Sequence, residues 1–533
     1  MVPALPHRSS ASVTDPEQNA AAMRTAGLAQ VPRRAVRLDH SAFAARLVSL
    51  APAALALFVA AAIVKGRTMF ALAPIAAIVA LFLARRAWLP YLLVVATVGT
   101  FAEPYAFPQF ALAGFNPFLS ELVLLIALAA AVLAPDSVRL AASGRPNTVK
   151  IALAVFLGAA AAGVLVGIGD GATFKEAILD MRPVLFVAAF WLALPALGTP
   201  ESRTRVFWVA GILAVAVVGL QFAQIAVGTS KILFYTKDPF TNLVTCPSGP
   251  CVDPGAGGFV RVRPPGINLA YVAAAFSAAY LLWGPARRRL LVGGLFAVCL
   301  AGVFASLNRN MVLGLLLGLS LAALLVSRGS RVIVGMLAAA SVALVLILLS
   351  GAGALGPFQP VLSRAGTLIH PHSVETSASI TDRSRENHFA FAALRRSPLT
   401  GIGWGTSYGK TLAVVQKNRT VKVLPQPFIH NLYLGVWLRT GILGLIAYVT
   451  AVLAAIAYGV RWCRRRRWDD QSWLGAAVIC ALVANSISVA LDVGTDPEKL
   501  VPFVGVLALA VTLAQTLRRE HEPERGRGLD APG

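Results

Sequence analysis

Apolar runs of about 17–25 residues recur along this chain from residue 46 to residue 516. Each is long enough to carry a helix across a hydrocarbon core of about 30 Å. Apolar residues make up 57% of the 533 positions and charged ones only 13%, too few charges to cover a soluble protein of this length. Soluble classes are therefore excluded, and the expected fold is an all-α polytopic membrane protein. The runs fall at 46–64, 69–84, 87–102, 117–134, 149–168, 181–198, 206–227, 266–284, 289–305, 311–326, 332–350, 430–459, 472–491 and 500–516. That is about 14 transmembrane helices, or 12 to 13 if the short second and third runs are tilted or re-entrant.

The formal net charge of +23 does not point to nucleic acid, because the basic residues are spread between the apolar runs. A surplus distributed that way reads as topology. With the N-terminus in the cytoplasm, the cytoplasmic connections hold Arg85-Arg86, Arg139 with Arg145 and Lys150, Arg203 with Arg205, Arg287 to Arg289, Arg328 with Arg331, and the cluster from Arg461 to Arg467. The tail carrying Arg518-Arg519 falls on the same side. The opposite orientation would put every one of these clusters outside.

The chain then divides into a disordered cytoplasmic tail (1–40), N-terminal transmembrane helices (41–227), and central helices with a first outer loop near 228–265 (228–350). A large outer loop (351–429), C-terminal helices (430–516) and a cytoplasmic tail (517–533) follow. Residues 1–40 lack the apolar core and small-residue cleavage site of a signal peptide. Within the large loop, Thr381 or Asp382 is placed to cap a helix over Arg383–Arg396 that stops before Pro398, with Phe389, Ala393 and Leu394 as its apolar face. No internal repeat is visible.

Cys246 and Cys251 lie in Thr-Cys-Pro-Ser-Gly-Pro-Cys of the first outer loop. They form either a disulfide, which an extracytoplasmic poise permits, or a pair of free thiols. Cys299 and Cys480 fall inside spans as small packing residues, and Cys463 lies in the basic cytoplasmic cluster, where it stays reduced.

The chain has no dinucleotide fingerprint, Walker A sequence, metal-ligand spacing or serine elbow. What stands out instead is basic residues on the outer side, against the rule that sets the orientation. Arg309, in Ala-Ser-Leu-Asn-Arg-Asn-Met, sits at the outer turn between two apolar spans. It either snorkels to headgroups or offers a planar fork to a phosphate. Arg261 and Arg263 precede Pro-Pro-Gly-Ile-Asn268, where the loop re-enters the membrane, and serve as anion ligands or as interfacial anchors. In Asp180-Met-Arg182-Pro, the Asp and Arg either pair with each other or act on a ligand.

Arg383 and Arg385 lie on the loop helix, either as a solvated face or as anion ligands. The following Gly401-Ile-Gly403-Trp-Gly405 cannot be a stable helix and either lets backbone approach something closely or makes a plain turn. His430 opens His-Asn-Leu-Tyr-Leu at the mouth of the next span, as a capping or packing residue or as a general base for an acceptor hydroxyl.

Taken in order, residues 261 to 450 resemble the O-antigen ligase/polymerase family, which includes WaaL-type ligases and Wzy-type polymerases. The pieces that carry the resemblance are Arg-Pro-x-Gly-x-Asn at 263–268, Ser-x-x-Arg at 306–309 and the long loop with its arginine helix. They continue with Pro-x-x-Gly-x-Gly-x-Gly at 398–405, His-Asn-x-Tyr-Leu at 430–434 and a downstream Gly-x-x-Gly. Gln221 with Gln224 looks like the family's span glutamine. The chain has Asn308-Arg309 where the tighter form of the family has Ser-Arg, and Asn387 or His388 where an aromatic often follows the loop arginine.

The resemblance implies a transferase in the cytoplasmic membrane of a bacterium, with its active site facing outward. The donor is a polyprenyl-diphosphate-linked glycan and the acceptor a glycan or lipid-glycan hydroxyl, with no metal, cofactor or nucleotide sugar. It also implies that Arg309 and Arg383 (or Arg385 in its place) bind the diphosphate and stabilise its developing charge. His430 activates the acceptor, which attacks with inversion; Arg263, Arg261, Arg182, Asn268 and Asn431 are the supporting substrate-binding candidates. The competing class is a transporter or flippase for an anionic or lipid-linked solute, which predicts basic residues at mid-membrane and broken spans in matching halves.

Overall fold

The computed structural model describes residues 86–100, 119–133, 146–227, 245–246, 249–250, 252–254, 260–262, 264, 266–306, 308–326, 374–415, 420–426, 429–466, 469–490 and 497–527. The expected spans at 46–64, 69–84 and 332–350 lie outside these residues, as does the tail 1–40. Each of the other expected spans corresponds to an apolar helix. Seven are long and apolar enough to cross a membrane, and four shorter ones run Leu89–Val98, Leu119–Leu133, Ile267–Trp283 and Asn310–Val326.

In chain order the helices are α1 (Leu89–Thr100), α2 (Leu119–Leu133), α3 (Thr148–Gly169), α4 (Phe174–Met181), α5 (Ala189–Leu197) and α6 (Pro200–Val227). There follow α7 (Ile267–Trp283), α8 (Arg289–Ala305), α9 (Arg309–Val326), α10 (Val374–Arg396), α11 (Leu432–Arg465), α12 (Ser472–Ala490) and α13 (Pro497–Arg527). α4 and α5 are joined by a 3-10 turn over Arg182–Ala188, which Pro183 starts, and together they make one apolar span, Phe174–Leu197. Local chemistry sets the starts. Asn147 accepts from the Lys150 N–H ahead of α3, and Thr173 with Glu176 forms a capping box on α4, satisfying donors that a helix end leaves open.

α12 and α13 are the centre of the bundle: 72% and 78% of their apolar windows are buried, against 33% for α6 and 22% for α8. The exposed faces of α6 and α8 carry Ile212, Leu220, Phe222 and Leu290, apolar side chains that fit a lipid surround rather than water. α9 packs on α12, α7 on α8 and α12, and α3 runs along α11.

α11 is not continuous. Gly441 has φ 69° and ψ −176°, so the helix breaks there, in an apolar setting where freed backbone groups need protein partners. They find them in the glycine segment 401–405. The Leu438 carbonyl accepts from Ile402 N at 2.7 Å and Gly403 N at 3.2 Å, and Ile442 N donates to the Leu399 carbonyl at 3.0 Å. Gly401, Gly403 and Gly405 all have positive φ (69°, 73° and 80°), which settles the two readings of this segment in favour of close approach.

A Cβ on Gly403 would lie 2.1 Å from Gly167 N and 2.5 Å from the Gly163 carbonyl. Gly163 and Gly167, one turn apart on α3, form the notch that receives the segment. A Cβ on Gly167 would sit 1.9 Å from the Trp404 carbonyl, while Trp404 N bonds Gly163 O at 3.0 Å and its indole N–H bonds Ala160 O at 2.9 Å. Residues 399–406 thus form a strap clamped between α3 and the break in α11.

α10 begins at Val374, earlier than Thr381 or Asp382. Neither Gly nor Pro occurs in 374–396 to stop it, and it ends before Pro398 as expected. Ala390 and Leu394 pack on Ile429, Leu434 and Leu438, with Ala393 alongside, so α10 lies against the start of α11. Two-stranded hairpins add to the helical plan. β1 (Thr245–Cys246) pairs with β2 (Gly249–Pro250), β3 (Val252–Pro254) with β4 (Val260–Val262), and β5 (Gly409–Val415) with β6 (Thr420–Gln426), all antiparallel.

Substituting Gly403→Ala should lower the stability of the detergent-solubilised protein by about 3 kcal/mol, through positive-φ strain and a backbone clash. Gly158→Ala, whose new methyl meets nothing within 4 Å on α3, should match or exceed wild type. Thermal unfolding of the two variants side by side checks the pair of outcomes.

Candidate active site

The starts of α7, α9, α11 and α13 meet at one end of the bundle. Asn268 in the first turn of α7 donates to Glu498 in the first turn of α13 at 3.2 Å. The Tyr433 hydroxyl, near the start of α11, donates to the Ser486 carbonyl of α12 at 3.3 Å. On α9, a Cβ on Gly314 would lie 2.4 Å from the Tyr271 hydroxyl and 2.5 Å from the Ala484 carbonyl. Arg309 opens α9 five residues before that contact, about 7.5 Å along the axis; its side chain lies outside the described residues.

His430 stands at this end, immediately before α11, and its partner lies on α10. Its Nδ1 is 3.1 Å from Glu386 Oε1 and 3.0 Å from Oε2, and its backbone N–H donates to Glu386 Oε2 at 3.1 Å. Glu386 is 8% exposed, so a buried carboxylate is met by the donors it needs. Burial and the nearby Glu386 carboxylate push the Tyr408 phenol well above its ordinary pKa, with Arg439 acting the other way.

Arg383 lies one helical turn before Glu386 on the same face of α10 and is half-buried. It makes no ion pair or hydrogen bond with the described residues. Arg385 points away from that face and is exposed.

The strap is tied in by a second buried charge, Arg439, which the sequence reading did not single out. Its guanidinium pairs with Asp180 at 2.9 Å, donates to the Gly403 and Thr406 carbonyls at 2.8 Å each and to the Thr406 hydroxyl at 3.1 Å. It also lies 5.9 Å from the Trp404 ring centroid, within cation–π range. Asp180 additionally accepts from Gly405 N at 2.9 Å. Asp180 and Arg182 do not pair with each other: Arg182 donates through Nε and Nη2 to the two carboxylate oxygens of Glu121 on α2. The two side chains turn apart because each finds a partner on a different helix.

Asn431, expected to bind substrate, is the N-cap of α11 and accepts from Leu434 N at 3.2 Å. Arg261 is on β4, in register with Asp253, and Val262 beside it accepts from the fully buried Gln221 at 3.0 Å. Gln224 is buried as well. Arg263 and Cys251 lie outside the described residues, so the pairing of Cys246 with Cys251 does too. Cys299, Cys463 and Cys480 are buried free thiols.

Among the described residues, no group of three or more His, Cys, Asp or Glu side chains could hold a metal ion. An apolar cavity of about 180 Å³ opens between α1, α5, α6, α7, α8 and α13, with Val95, Phe207, Val272, Phe276 and Leu509 in its walls. The arrangement around His430 offers an imidazole whose Nδ1 meets Glu386 and, one turn along the facing helix, the Arg383 guanidinium, which makes no ion pair or hydrogen bond with the described residues. Those are the elements of base-assisted attack on a centre with an anionic leaving group.

Of the residues that build this place, Glu386 and Arg439 were not anticipated. Glu386 stands three residues after Arg383, a same-face helical spacing. Arg439 is a lone charge nine residues into an apolar run, where a charge needs a partner.

A protein-family model described as O-antigen ligase matches residues 294–449, from within α8 through α9, α10, the strap and His430 into α11. No curated protein matches the chain.

Breaking the Arg439–Asp180 pair by Asp180→Ala should destabilise the protein by about 3 kcal/mol, since it leaves a buried guanidinium without its counter-ion. The double variant Asp180→Ala/Arg439→Met should recover part of that loss. A double-mutant cycle by chemical denaturation in detergent measures the coupling.

Proposed function

We propose that the chain is a multi-pass membrane protein of the O-antigen ligase kind, a reading supported by the match of that family model to residues 294–449 and by the apolar helices. On that premise we propose that it transfers a polyprenyl-diphosphate-linked oligo- or polysaccharide onto an acceptor hydroxyl at the outer face of the cytoplasmic membrane, in building a cell-surface or exported polysaccharide. The observation that carries this reading is the meeting of α10 with the start of α11, which sets Arg383 and His430 around one end of the bundle.

In this reading about 14 spans thread the membrane with both termini in the cytoplasm. The segments 228–265 and 351–429 are outward, and the cluster Arg461 to Arg467 lies inside. The acceptor hydroxyl gives its proton to Nε2 of His430 as its oxygen attacks the anomeric carbon. The bond from that carbon to the diphosphate oxygen breaks with inversion, and the polyprenyl diphosphate leaves with the electron pair.

Arg309 and Arg383 stabilise the charge that gathers on the departing diphosphate, the part of such a reaction where fixed cations act most. The half-buried Arg383 is preferred to the exposed Arg385, because it shares the Glu386 face of α10. The leaving group is stabilised by these guanidinium groups, with no metal ion. Arg263 and Arg261, at the re-entry of the first outer loop, are supporting ligands for the donor. The apolar cavity beside α7 has the wall chemistry that an isoprenoid chain requires.

Purified protein in lipid nanodiscs, supplied with a polyprenyl-diphosphate glycan and an acceptor glycan, should transfer the glycan. His430→Ala and Arg309→Ala should each reduce the rate by about 100-fold or more. Undiminished transfer by both variants would overturn the site.

A further inference from the structure

We propose that Glu386 is the positioning residue that makes His430 a base: it fixes the ring tautomer, so that Nδ1 carries the proton and Nε2 the lone pair. The inference rests on the reading of His430 as the group that accepts the acceptor's proton.

An ionised carboxylate accepts hydrogen bonds and donates none. With both Glu386 oxygens within 3.1 Å of Nδ1, the neutral imidazole must present its N–H at that nitrogen. The other nitrogen is then the basic one. The same carboxylate takes the His430 backbone N–H at 3.1 Å, so ring and backbone are gripped together and rotation about the side-chain bonds is restricted. The His430 side chain keeps 27% of its surface exposed while that of Glu386 keeps 11%. The histidine side chain is thus the more accessible member of the pair, which suits a group that must meet a bulky substrate.

When Nε2 takes the proton from the acceptor hydroxyl, the ring becomes a cation with its positive charge facing a buried anion. The proton rests on Nε2 until it is lost to water after the diphosphate has left. The arrangement is that of a base oriented by a third group, recognised by geometry and roles rather than by sequence position.

Placement on separate elements gives the contact a further property. Glu386 rides on α10, which the strap holds against α11, whereas His430 is the residue before the α11 cap. The base is therefore correctly set only when α10 is seated.

Glu386→Gln retains shape but replaces one acceptor oxygen with an amide donor. The amide can donate to Nδ1 and shift the ring proton to Nε2. We expect kcat for glycan transfer to fall by about 100-fold while the KM for the lipid-linked donor is unchanged. We also expect the ring ¹⁵N signals of selectively labelled His430 to change from the Nδ1–H to the Nε2–H pattern. Glu386→Asp, which restores a carboxylate on a shorter arm, should recover part of the rate and the Nδ1–H pattern.

Wild-type kcat in Glu386→Gln, or an unchanged tautomer signal, would overturn the proposal. So would a parallel collapse of kcat, donor KM and thermal stability, which would mark Glu386 as a structural residue. The His430→Ala variant separates this from the functional reading: full transfer by His430→Ala sinks that reading, whereas transfer lost in His430→Ala but kept in Glu386→Gln sinks only the role of Glu386.

Discussion

The architecture depends on how one interrupted helix is repaired. An apolar surround offers no hydrogen-bond partners, so a helix broken at Gly441 must have its freed carbonyl and N–H groups met by protein. The strap meets them with its own backbone, through Leu438, Ile442, Leu399, Ile402 and Gly403. That solution demands backbone-to-backbone approach on both sides, which is why glycines stand at 401, 403 and 405 on the strap and at 163 and 167 on α3. The position of α10 follows, because the strap begins three residues after α10 ends. The position of Glu386 over His430 follows in turn.

Charge completes what the backbone begins. Arg439 lies two residues before the break and spans from Asp180 on α4 to the carbonyls of Gly403 and Thr406. A buried guanidinium is tolerable because carboxylate, carbonyls, hydroxyl and an indole face share it. The same pair gives the strap a definite register, since Asp180 also holds the Gly405 N–H. Three elements distant in sequence are thereby referred to one another by groups with few alternative partners.

Much of this was legible in the residues. Apolar runs located the helices, because hydrophobic length is a local property. His430 and Arg383 stood out as polar groups whose position needed a reason, and Gly401 to Gly405 as backbone too permissive to be helix. Other features were not legible. Glu386 meets His430 across 44 positions and Asp180 meets Gly405 across 225, and nothing in a single sequence ties such pairs together. Of the two readings open for Asp180 and Arg182, pairing with each other failed for the same reason: nearness along the chain is weak evidence where each side chain has a better partner on another helix. The start of α10 at Val374 was missed because Thr381 and Asp382 look like caps, although a helix with no Gly or Pro upstream has no cause to stop there. The hairpin β5–β6 was hidden in a segment read only as loop.

That hairpin lies between two fixed points. On one side is the strap, held at Thr406 by Arg439; on the other is His430, held by Glu386. A segment pinned at both ends can change length and composition between them without transmitting the change to His430 or to the helix that carries Glu386. The two strands Gly409–Val415 and Thr420–Gln426 are thus a part of the fold that can change while the interrupted helix and the carboxylate that meets His430 stay in place.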